Sequence, residues 1–339
     1  MKLIRTEDAV GHVLCHDMTQ IIKDVYKGPR FRKGYVVTEE DIPVLLSMGK
    51  EHLYVWEMTP GMVHENDAAE RLLRLCGQKN MTRSPVTEGK IELKAACDGL
   101  FLVDSPRLTA VNSQGQAIIA TRKGGTAVRR GDKVAGMRAI PLLISEEQLQ
   151  SMEQAAGTQP LLAIKPFIFK TACIIATGGE VKQGLVKDTF TPVVREKLKK
   201  YGIEVQDVIY SGDGVENVRR AVLAMRAKKP DMILCTGGMS VDPDDNTPGG
   251  IQAAGADVVC YGAPVLPGAM FLLGYFEDGM PILGLPGCVM YAGATIFDLL
   301  IPRIAAGVPV TRAQIAALGE GGLCLGCQEC HYPICPFGT

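Results

Sequence analysis

The sequence has no apolar run long enough to cross a bilayer and no excess of charge of either sign. A membrane-spanning helix needs about 20 apolar residues, and the opening segment MKLIRTEDAV also lacks the apolar core of a signal peptide. With 36 basic and 37 acidic residues, the net charge is −1, so no basic excess attracts nucleic acid or an anionic membrane. We therefore expect a cytoplasmic protein with neither kind of partner.

Histidine and the common catalytic signatures are also scarce. The chain has five histidines, four of them before residue 65, and it contains neither a Gly-x-Ser-x-Gly nucleophile elbow nor a Walker-type Gly-Lys-Ser/Thr. Aromatic residues are only 6% of the chain, whereas glycine reaches 38 of 339 residues. This balance is typical of tight loops that join a sheet to small-residue helices. The scarcity of histidine argues against histidine-based catalysis, and the glycine content directs attention to the glycine-rich loops.

The length and the spacing of turn residues predict several folded segments. Hydrophobic residues are 47% and charged residues 22% of the chain, as in ordinary globular proteins. We predict a first folded region over 1–59, a small β-rich domain over 60–165, an α/β domain over 166–310 and a cysteine-rich tail over 311–339. Before residue 166 we predict helices over Asp41–Gly49, Asp67–Cys76 and Glu146–Ala155, and strands over Leu53–Trp56, Gly99–Val103, Leu108–Val111, Ala117–Ala120 and Lys133–Gly136. A basic stretch from Arg122 to Arg138 is interpreted as a solvated β surface, with an anion site as the alternative.

From residue 171 the pattern alternates between buried strands and amphipathic helices. We predict strands over Thr171–Ala176, Ile203–Tyr210, Asp231–Cys235, Val258–Cys260, Met270–Tyr275 and Pro281–Leu285, and helices over Thr191–Tyr201, Val215–Met225 and Val289–Ala306. Repeated strand–helix–strand units imply an α/β fold, with a doubly wound and mostly parallel sheet covered on both faces. Smaller α+β and β-rich domains precede it.

Three polar or glycine-rich loops follow strands of this sheet: Thr177-Gly-Gly-Glu180, Thr236 to Pro248, and Leu285-Pro-Gly-Cys288. Ligands of open parallel sheets collect at the carboxyl ends of the strands, so these loops are expected to face one crevice. The Thr236-Gly-Gly238 turn lets backbone N–H groups approach an anion, and Ser240 and Thr247 can add hydroxyl donors.

The second of these loops also carries an acidic cluster. Asp242, Asp244 and Asp245 place three carboxylates within four residues, which predicts a Mg²⁺ ion bridging to phosphate. The alternative is an Asx-rich turn that caps a helix beginning at Thr247. Glu180 and Asp188 flank the loop after the first strand and can bind a ligand hydroxyl, a ring amide or the metal.

These motifs resemble the molybdopterin-binding domain of molybdopterin molybdotransferases (molybdenum insertases), molybdopterin adenylyltransferases and the competence-damage-inducible family. The residues that carry the resemblance are Thr177-Gly-Gly-Glu180, Asp213, Thr236 to Asp245 and Leu285-Pro-Gly287, and they cover about 166–310. The first region, with Arg5 to Gly11 and Lys33 to Ile42, is similar to the insertase amino-terminal region.

The resemblance implies a pterin dithiolene phosphate as ligand, free or adenylated, with Mg²⁺ and with molybdate as co-substrate. It implies insertion of molybdate, with the catalytic residues Asp245, Asp242 and Glu180, of which Asp242 and Asp245 also bind the metal. The implied cofactor-binding residues are Thr177, Gly178, Glu180, Asp188, Asp213, Thr236, Gly237, Gly238, Ser240, Pro286 and Gly287. A molybdoenzyme or a cofactor-biosynthesis protein is the implied partner, and we expect a homo-oligomer.

Departures from the insertase pattern keep two other functions open. Gly179 stands at an insertase Asp, Cys288 stands at the Asn of the Leu-Pro-Gly-Asn loop, and Pro267-Gly-Ala-Met270 lacks the insertase Lys. A non-catalytic molybdopterin carrier or sensor would tolerate these changes. A nucleotide-pyrophosphate hydrolase of the competence-damage-inducible type is the third hypothesis, since Asp244-Asp-Asn-Thr247 is closer to that pattern.

The tail carries four closely spaced cysteines, Cys324, Cys327, Cys330 and Cys335, followed by Pro336. The run resembles the ferredoxin-type iron–sulfur motif, with four residues instead of three before the last cysteine. It predicts that these cysteines bind a [4Fe–4S] cluster, with a zinc ion as the second choice and His331 as a spare ligand. A redox-active or disordered tail is the alternative. The seven dispersed cysteines are expected to be small buried hydrophobes.

Overall fold

The computed structural model describes residues 2–22, 25–55, 60–179, 185, 187–240, 242 and 245–338. The chain divides into two compact units. The first takes in Met1–Ala96, Val103–Gly124 and Arg130–Ala163, and the second takes in Cys97–Leu102, Gly125–Arg129 and Ile164–Thr339. The four segments predicted from the sequence stay predictions. No helix in the described ranges has the length and apolar character needed to cross a membrane.

The amino-terminal half is built from short strands and a few helices. Its strands are β1 (Lys2–Arg5), β2 (Met18–Ile22), β3 (Tyr26–Phe31), β4 (His52–Val55), β5 (Met62–His64), β6 (Met81–Arg83), β7 (Lys90–Ala95), β8 (Gly99–Val103), β9 (Ala117–Thr121), β10 (Thr126–Val128), β11 (Lys133–Ala139), β12 (Leu143–Ser145) and β13 (Leu162–Pro166). Its helices are α1 (Asp41–Ser47), α2 (Glu65–Cys76), α3 (Ser105–Asn112) and α4 (Glu146–Ala156), with a 3₁₀ turn at Thr6–Asp8. In the first unit the main sheet has the order β6-β7-β11-β9 and is antiparallel, and α2 packs on it.

Most of the predicted elements in this half are confirmed, but the strand predicted over Leu108–Val111 is wrong. These residues belong to helix α3, whose first turn contains Pro106 and whose preceding residue, Asp104, accepts the backbone N–H of Arg107 at 3.1 Å. A short apolar run fits either a strand or a helix. The cap and the proline decide for the helix, because proline suits a first helical turn and Asp satisfies its N–H groups.

The basic stretch is paired within its own surroundings. In the first unit Arg122 contacts Asp132 at 2.7 Å and Lys133 contacts Glu92 at 2.9 Å, and in the second Arg129 contacts Asp98 at 2.8 Å. These pairs support the interpretation as a solvated surface.

The second unit contains a six-stranded sheet. Its strands are β14 (Thr171–Thr177), β15 (Glu204–Ser211), β16 (Met232–Thr236), β17 (Asp257–Tyr261), β18 (Leu272–Tyr275) and β19 (Pro281–Leu285), and its helices are α5 (Phe190–Lys199), α6 (Val215–Arg226), α7 (Thr247–Ala253), α8 (Ile296–Ala305) and α9 (Arg312–Ala317). The order is β15-β14-β16-β19-β18-β17. The first four strands are parallel and the last two pairings are antiparallel, so the predicted doubly wound, mostly parallel sheet is confirmed.

Apolar helices cover both faces of this sheet. Helices α5 and α8 pack in one buried cluster with Phe271 and Leu283, and α6 and α7 pack in a second cluster with Ile175 and Ile233. Strands β14, β16 and β19 are almost wholly buried, as expected of parallel strands between two helical layers. This burial explains why their sequences are uninterrupted apolar runs.

The long helix predicted over Val289–Ala306 is also wrong in extent. A 3₁₀ turn covers Gly287–Met290, and α8 begins only at Ile296. Thr295 and Asp298 form a reciprocal capping box, in which the Asp298 carboxylate accepts the Thr295 N–H at 2.8 Å. The capping box marks the start of α8, and residues 291–294 connect the 3₁₀ turn to the helix.

Candidate functional site

A cavity lies at the carboxyl ends of the parallel strands β16 and β19, beside the point where the strand order reverses. The chain passes from β14 to β15 on one side and then to β16 on the other side of β14. Such a switch point opens a crevice at the carboxyl ends of the central strands. The cavity there has a volume of about 450 Å³ and is lined by Gly237, Gly238, Met239, Ser240, Asp245, Ala269, Met270, Leu285, Pro286, Gly287, Cys288, Met290 and Tyr291. Two of the three loops predicted to meet, those after β16 and β19, supply most of its wall.

The turn after β16 has room for glycine alone at two successive positions. Gly237 has φ +85° and Gly238 has φ +58°, both in the left-handed region that glycine favours. A methyl group at Gly237 would overlap the backbone oxygen of Thr177, and one at Gly238 would lie 2.5 Å from the Thr247 hydroxyl oxygen. The close packing of these loops therefore requires the glycine pair predicted from the sequence.

Three buried threonines hold this turn in place. The Thr177 hydroxyl donates to the Thr236 carbonyl oxygen at 3.0 Å, and the Thr247 hydroxyl donates to the Gly237 carbonyl oxygen at 3.0 Å. All three residues are less than a tenth exposed. They hold the turn through hydrogen bonds, and neither Thr177 nor Thr236 lines the cavity.

The acidic loop folds back on the same turn. One Asp245 carboxylate oxygen accepts the Ser240 N–H at 2.7 Å, and the Asp245 N–H donates to the Asp242 carbonyl oxygen at 2.9 Å. Both Ser240 and Asp245 line the cavity. Tyr261 fixes the other side of this loop, because its hydroxyl donates to the Met239 carbonyl oxygen at 3.0 Å.

Two further predicted residues act on the backbone. The Asp213 carboxylate accepts the Gly179 N–H at 2.9 Å and so joins the ends of β14 and β15. Asp188 accepts the N–H groups of Phe190 and Thr191 at 2.9 and 3.0 Å, at the start of α5. Burial favours a higher pKa for Asp188, but hydrogen bonds from Thr191, Phe190 and Tyr210 outweigh it and lower the pKa.

The structure therefore separates the predicted residues into groups. Those that line the cavity are Gly237, Gly238, Ser240, Asp245, Pro286 and Gly287; those outside its lining are Thr177, Gly178, Asp188, Asp213, Thr236 and Asp242. Glu180 lies outside the described residues, and so does Asp244. Sequence reasoning missed the lining residues Met239, Met290 and Tyr291, which look like ordinary core residues in the sequence, whereas Met270 belongs to a segment already identified as a departure from the insertase pattern. Cys288, identified as a departure from the insertase pattern, lines the cavity, and burial raises the pKa of its thiol.

Within the described ranges, no three His, Cys, Asp or Glu side chains are grouped so that they could hold one metal ion. The four tail cysteines line a second cavity of about 320 Å³. That cavity shares Tyr291 with the first one.

The strand order and the helices on both faces define the second unit as a doubly wound α/β domain. Residues 173–306, which lie in this unit, match a family described as "Probable molybdopterin binding domain". Residues 3–57 match a family described only as a domain of unknown function.

Curated relatives and solved structures are similar to this chain at low identity. A molybdopterin molybdenumtransferase of Staphylococcus aureus is 28% identical over 307 residues, which cover 84% of this chain and 66% of the relative. A CinA-like protein of Desulfosudis oleivorans is 35% identical over 81 residues, which cover 24% of this chain and 19% of the relative. The chain thus spans less than two thirds of the length of these relatives. The structure of the molybdopterin biosynthesis enzyme MoaB of Thermus thermophilus is 20% identical, with a TM-score of 0.35, and the match covers 42% of this chain and 99% of that one.

Proposed function

We propose that this protein binds molybdopterin, free or adenylated, in the cavity at the switch point and inserts molybdate into it with Mg²⁺. The observation that carries the proposal is the Gly237–Gly238 turn, which lies at that point inside the range that matches the molybdopterin-binding family. Two successive residues in the left-handed conformation can present backbone N–H groups to a ligand phosphate. The Ser240 hydroxyl lies next to the turn as a further donor.

Mg²⁺ fits the donors of the acidic loop. In sites of this kind the ion keeps several waters and is held by one or two carboxylates together with ligand phosphates, so it does not need three protein ligands. Asp245 lines the cavity and Asp242 is joined to it through the backbone. These two residues would hold the ion, and the bound ion would neutralise phosphate charge during the reaction. Glu180 is proposed as a further acidic group from the resemblance alone.

A molybdopterin carrier or sensor without turnover is the second candidate. Cys288 favours it, because this residue lines the cavity at the position where the insertase pattern has Asn. A carrier needs the Gly237–Gly238 turn to bind phosphate, but it does not need polar side chains that activate an attacking group. Protein partners and a homo-oligomeric state belong to the same proposal and follow from the resemblance.

The test is AMP release from adenylated molybdopterin, measured after adding purified protein, Mg²⁺ and molybdate, with ligand binding recorded in the same sample. Molybdate-dependent release supports the insertase. Binding without release supports the carrier, and the absence of both contradicts either function and favours a nucleotide-pyrophosphate hydrolase.

Asp245→Asn separates turnover from binding. We expect it to abolish release while the protein keeps much of its ligand. Asp257→Asn is the matched control, because Asp257 is an exposed carboxylate on β17 of the same unit and does not line the cavity.

A further inference from the structure

The cysteine-rich tail is docked on the second unit at both ends. At its start the Leu266 N–H donates to the Gly322 carbonyl oxygen and the Cys324 N–H donates to the Leu266 carbonyl oxygen, each at 2.8 Å. At its end Phe337 is 4% exposed and packs in the buried core of the second unit, and the Gly338 N–H donates to the Gly321 carbonyl oxygen within the tail at 2.9 Å. The four cysteines lie between these two attachments, so a disordered tail does not describe the structure.

The docked tail encloses a cavity that is separate from the phosphate turn. It has a volume of about 320 Å³, and all four cysteines, Cys324, Cys327, Cys330 and Cys335, line it together with His331. The first and the last of these cysteines are half-buried, and the two between them are exposed. Four thiols from a short run of sequence thus surround one cavity.

Glycines outside and inside the tail make this docking possible. A methyl group at Gly293 would lie 2.7 Å from both the Cβ and the Sγ of Cys330. One at Gly322 would lie 2.6 Å from the backbone oxygen of Pro264, and one at Gly338 would overlap the Leu299 side chain. The docked position of the tail therefore depends on small residues at three separate points.

We propose that Cys324, Cys327, Cys330 and Cys335 hold a [4Fe–4S] cluster in this cavity. A cubane cluster takes one thiolate at each iron, so its four ligands surround a cavity. A zinc ion requires its ligands to converge on one point at about 2.3 Å from each sulfur. The four cysteines line one open volume, and no three of their side chains in this described part of the chain converge on a single ion, so the arrangement fits the first requirement and not the second. Each thiol releases its proton as its sulfur bonds to one iron. Assembly of the [4Fe–4S]²⁺ core from ferric iron and sulfide takes up two electrons, which a dithiol supplies as it is oxidised to a disulfide.

The cluster would adjoin the candidate molybdopterin site. The segment 286–294 runs along both cavities: Pro286 to Cys288 and Met290 line the first, Ala292 to Ala294 line the second, and Tyr291 lines both. A second segment also reaches both cavities, since Ala269 lines the first and Pro267 lines the second. Cluster binding itself does not depend on the proposed function, because it rests on the tail cavity alone.

The test is anaerobic reconstitution of the full chain with ferric iron, sulfide and a dithiol, followed by iron and sulfide analysis. We expect about four irons and four sulfides per chain and a visible absorption band that dithionite bleaches. The double variant Cys327→Ser/Cys330→Ser should lose the band and most of the iron. Cys97→Ser is the control and should load fully, since Cys97 belongs to the same unit and does not line the cavity.

Alkylation gives a measurement that does not depend on how the variants fold. Cys327 and Cys330 are exposed, so iodoacetamide should modify them in the cluster-free chain and spare them in the loaded chain. Three results would overturn the proposal: equal alkylation in both states, full iron loading of the double variant, or uptake of one zinc per chain with no uptake of iron and sulfide.

Discussion

The hydroxyl oxygens of Thr177 and Thr247 lie 3.2 Å apart, next to the Gly237–Gly238 turn. One residue ends β14 and the other begins α7, yet both are bonded to the turn after β16, since they contact the carbonyl oxygens of Thr236 and Gly237. The two hydroxyl groups have two protons between them but take part in three short oxygen–oxygen contacts: one to each carbonyl oxygen and one to each other. At any time one of the three contacts therefore has no proton between its oxygen atoms. The turn is held by a shared network instead of by independent bonds.

Replacing Thr247 with Val should weaken both folding and ligand binding. The substitution keeps the volume but leaves the part-buried Gly237 carbonyl oxygen without this donor, which costs about 1–3 kcal/mol in the free energy of unfolding. Thr109→Val, at an exposed position of α3, is the control and should change stability by less than about 0.5 kcal/mol. Urea unfolding of the two variants makes the comparison. Equal stabilities would contradict the role given to the network.

Gly237→Ala should be far more damaging than an alanine at another glycine of the same backbone conformation. Gly237 has φ +85° and Gly255 has φ +93°, so an alanine at either position carries about 1–2 kcal/mol of conformational strain. Only at Gly237 does the added methyl group also overlap a neighbour, because no atom lies within 4 Å of it at Gly255. We expect Gly237→Ala to cost about 1–3 kcal/mol more than Gly255→Ala and to abolish ligand binding.

Thermal unfolding and ligand titration of both variants would test this prediction. If the two variants lost equal stability, the contact with the Thr177 carbonyl oxygen would not be what constrains the turn.

Asp298→Asn should destabilise the second unit strongly. Lys197 contacts the two carboxylate oxygens of Asp298 at 2.7 and 2.8 Å, and the two side chains are only 9% and 11% exposed. Removing the negative charge leaves a buried ammonium group without its counter-charge, which costs about 3–5 kcal/mol. Asp278→Asn breaks the more exposed pair with Arg226 and should cost less than about 1 kcal/mol. Denaturant unfolding of both variants measures the difference, and similar losses would be evidence against the prediction.

Asp188 should make a pH-dependent contribution to stability. Its pKa is lowered in the folded chain from the usual 3.8, because its hydrogen bonds favour the charged form. A lowered carboxylate pKa stabilises the fold above the unfolded value, and this stabilisation is lost as the pH falls through the folded value. The gap in unfolding free energy between the natural chain and Asp188→Asn should therefore be constant above about pH 5 and shrink below it. A gap that did not change with pH would contradict this account.

The α/β unit was largely predictable because its buried strands are uninterrupted apolar runs and its helices have clear apolar faces. Topology did the rest, since the carboxyl ends of parallel strands lie at one edge of a sheet. The glycine pair and Ser240 could be placed in the cavity on this argument alone. Met239, Met290 and Tyr291 could not, because an apolar residue that lines a cavity has the same sequence pattern as one that packs in a core.

Two segments were predicted wrongly because an apolar run outweighed a local signal for the start of a helix. The apolar run from Val289 to Ala306 concealed the Thr295–Asp298 capping box, which marks the true start of α8. The run Leu108–Val111 concealed a proline-containing first turn. The placement of the tail on the second unit had no such signal, because it depends on contacts between residues far apart in sequence, such as Gly293 and Cys330.

The segment 286–294 has a consequence for how this protein can change. It contributes residues to both cavities, and a substitution at Tyr291, which lines both, alters two environments at once. The tail and the domain that carries the Gly237–Gly238 turn are in this respect one structural module: a graft of the cysteine run onto a related domain would need Gly293 and Tyr291 to come with it.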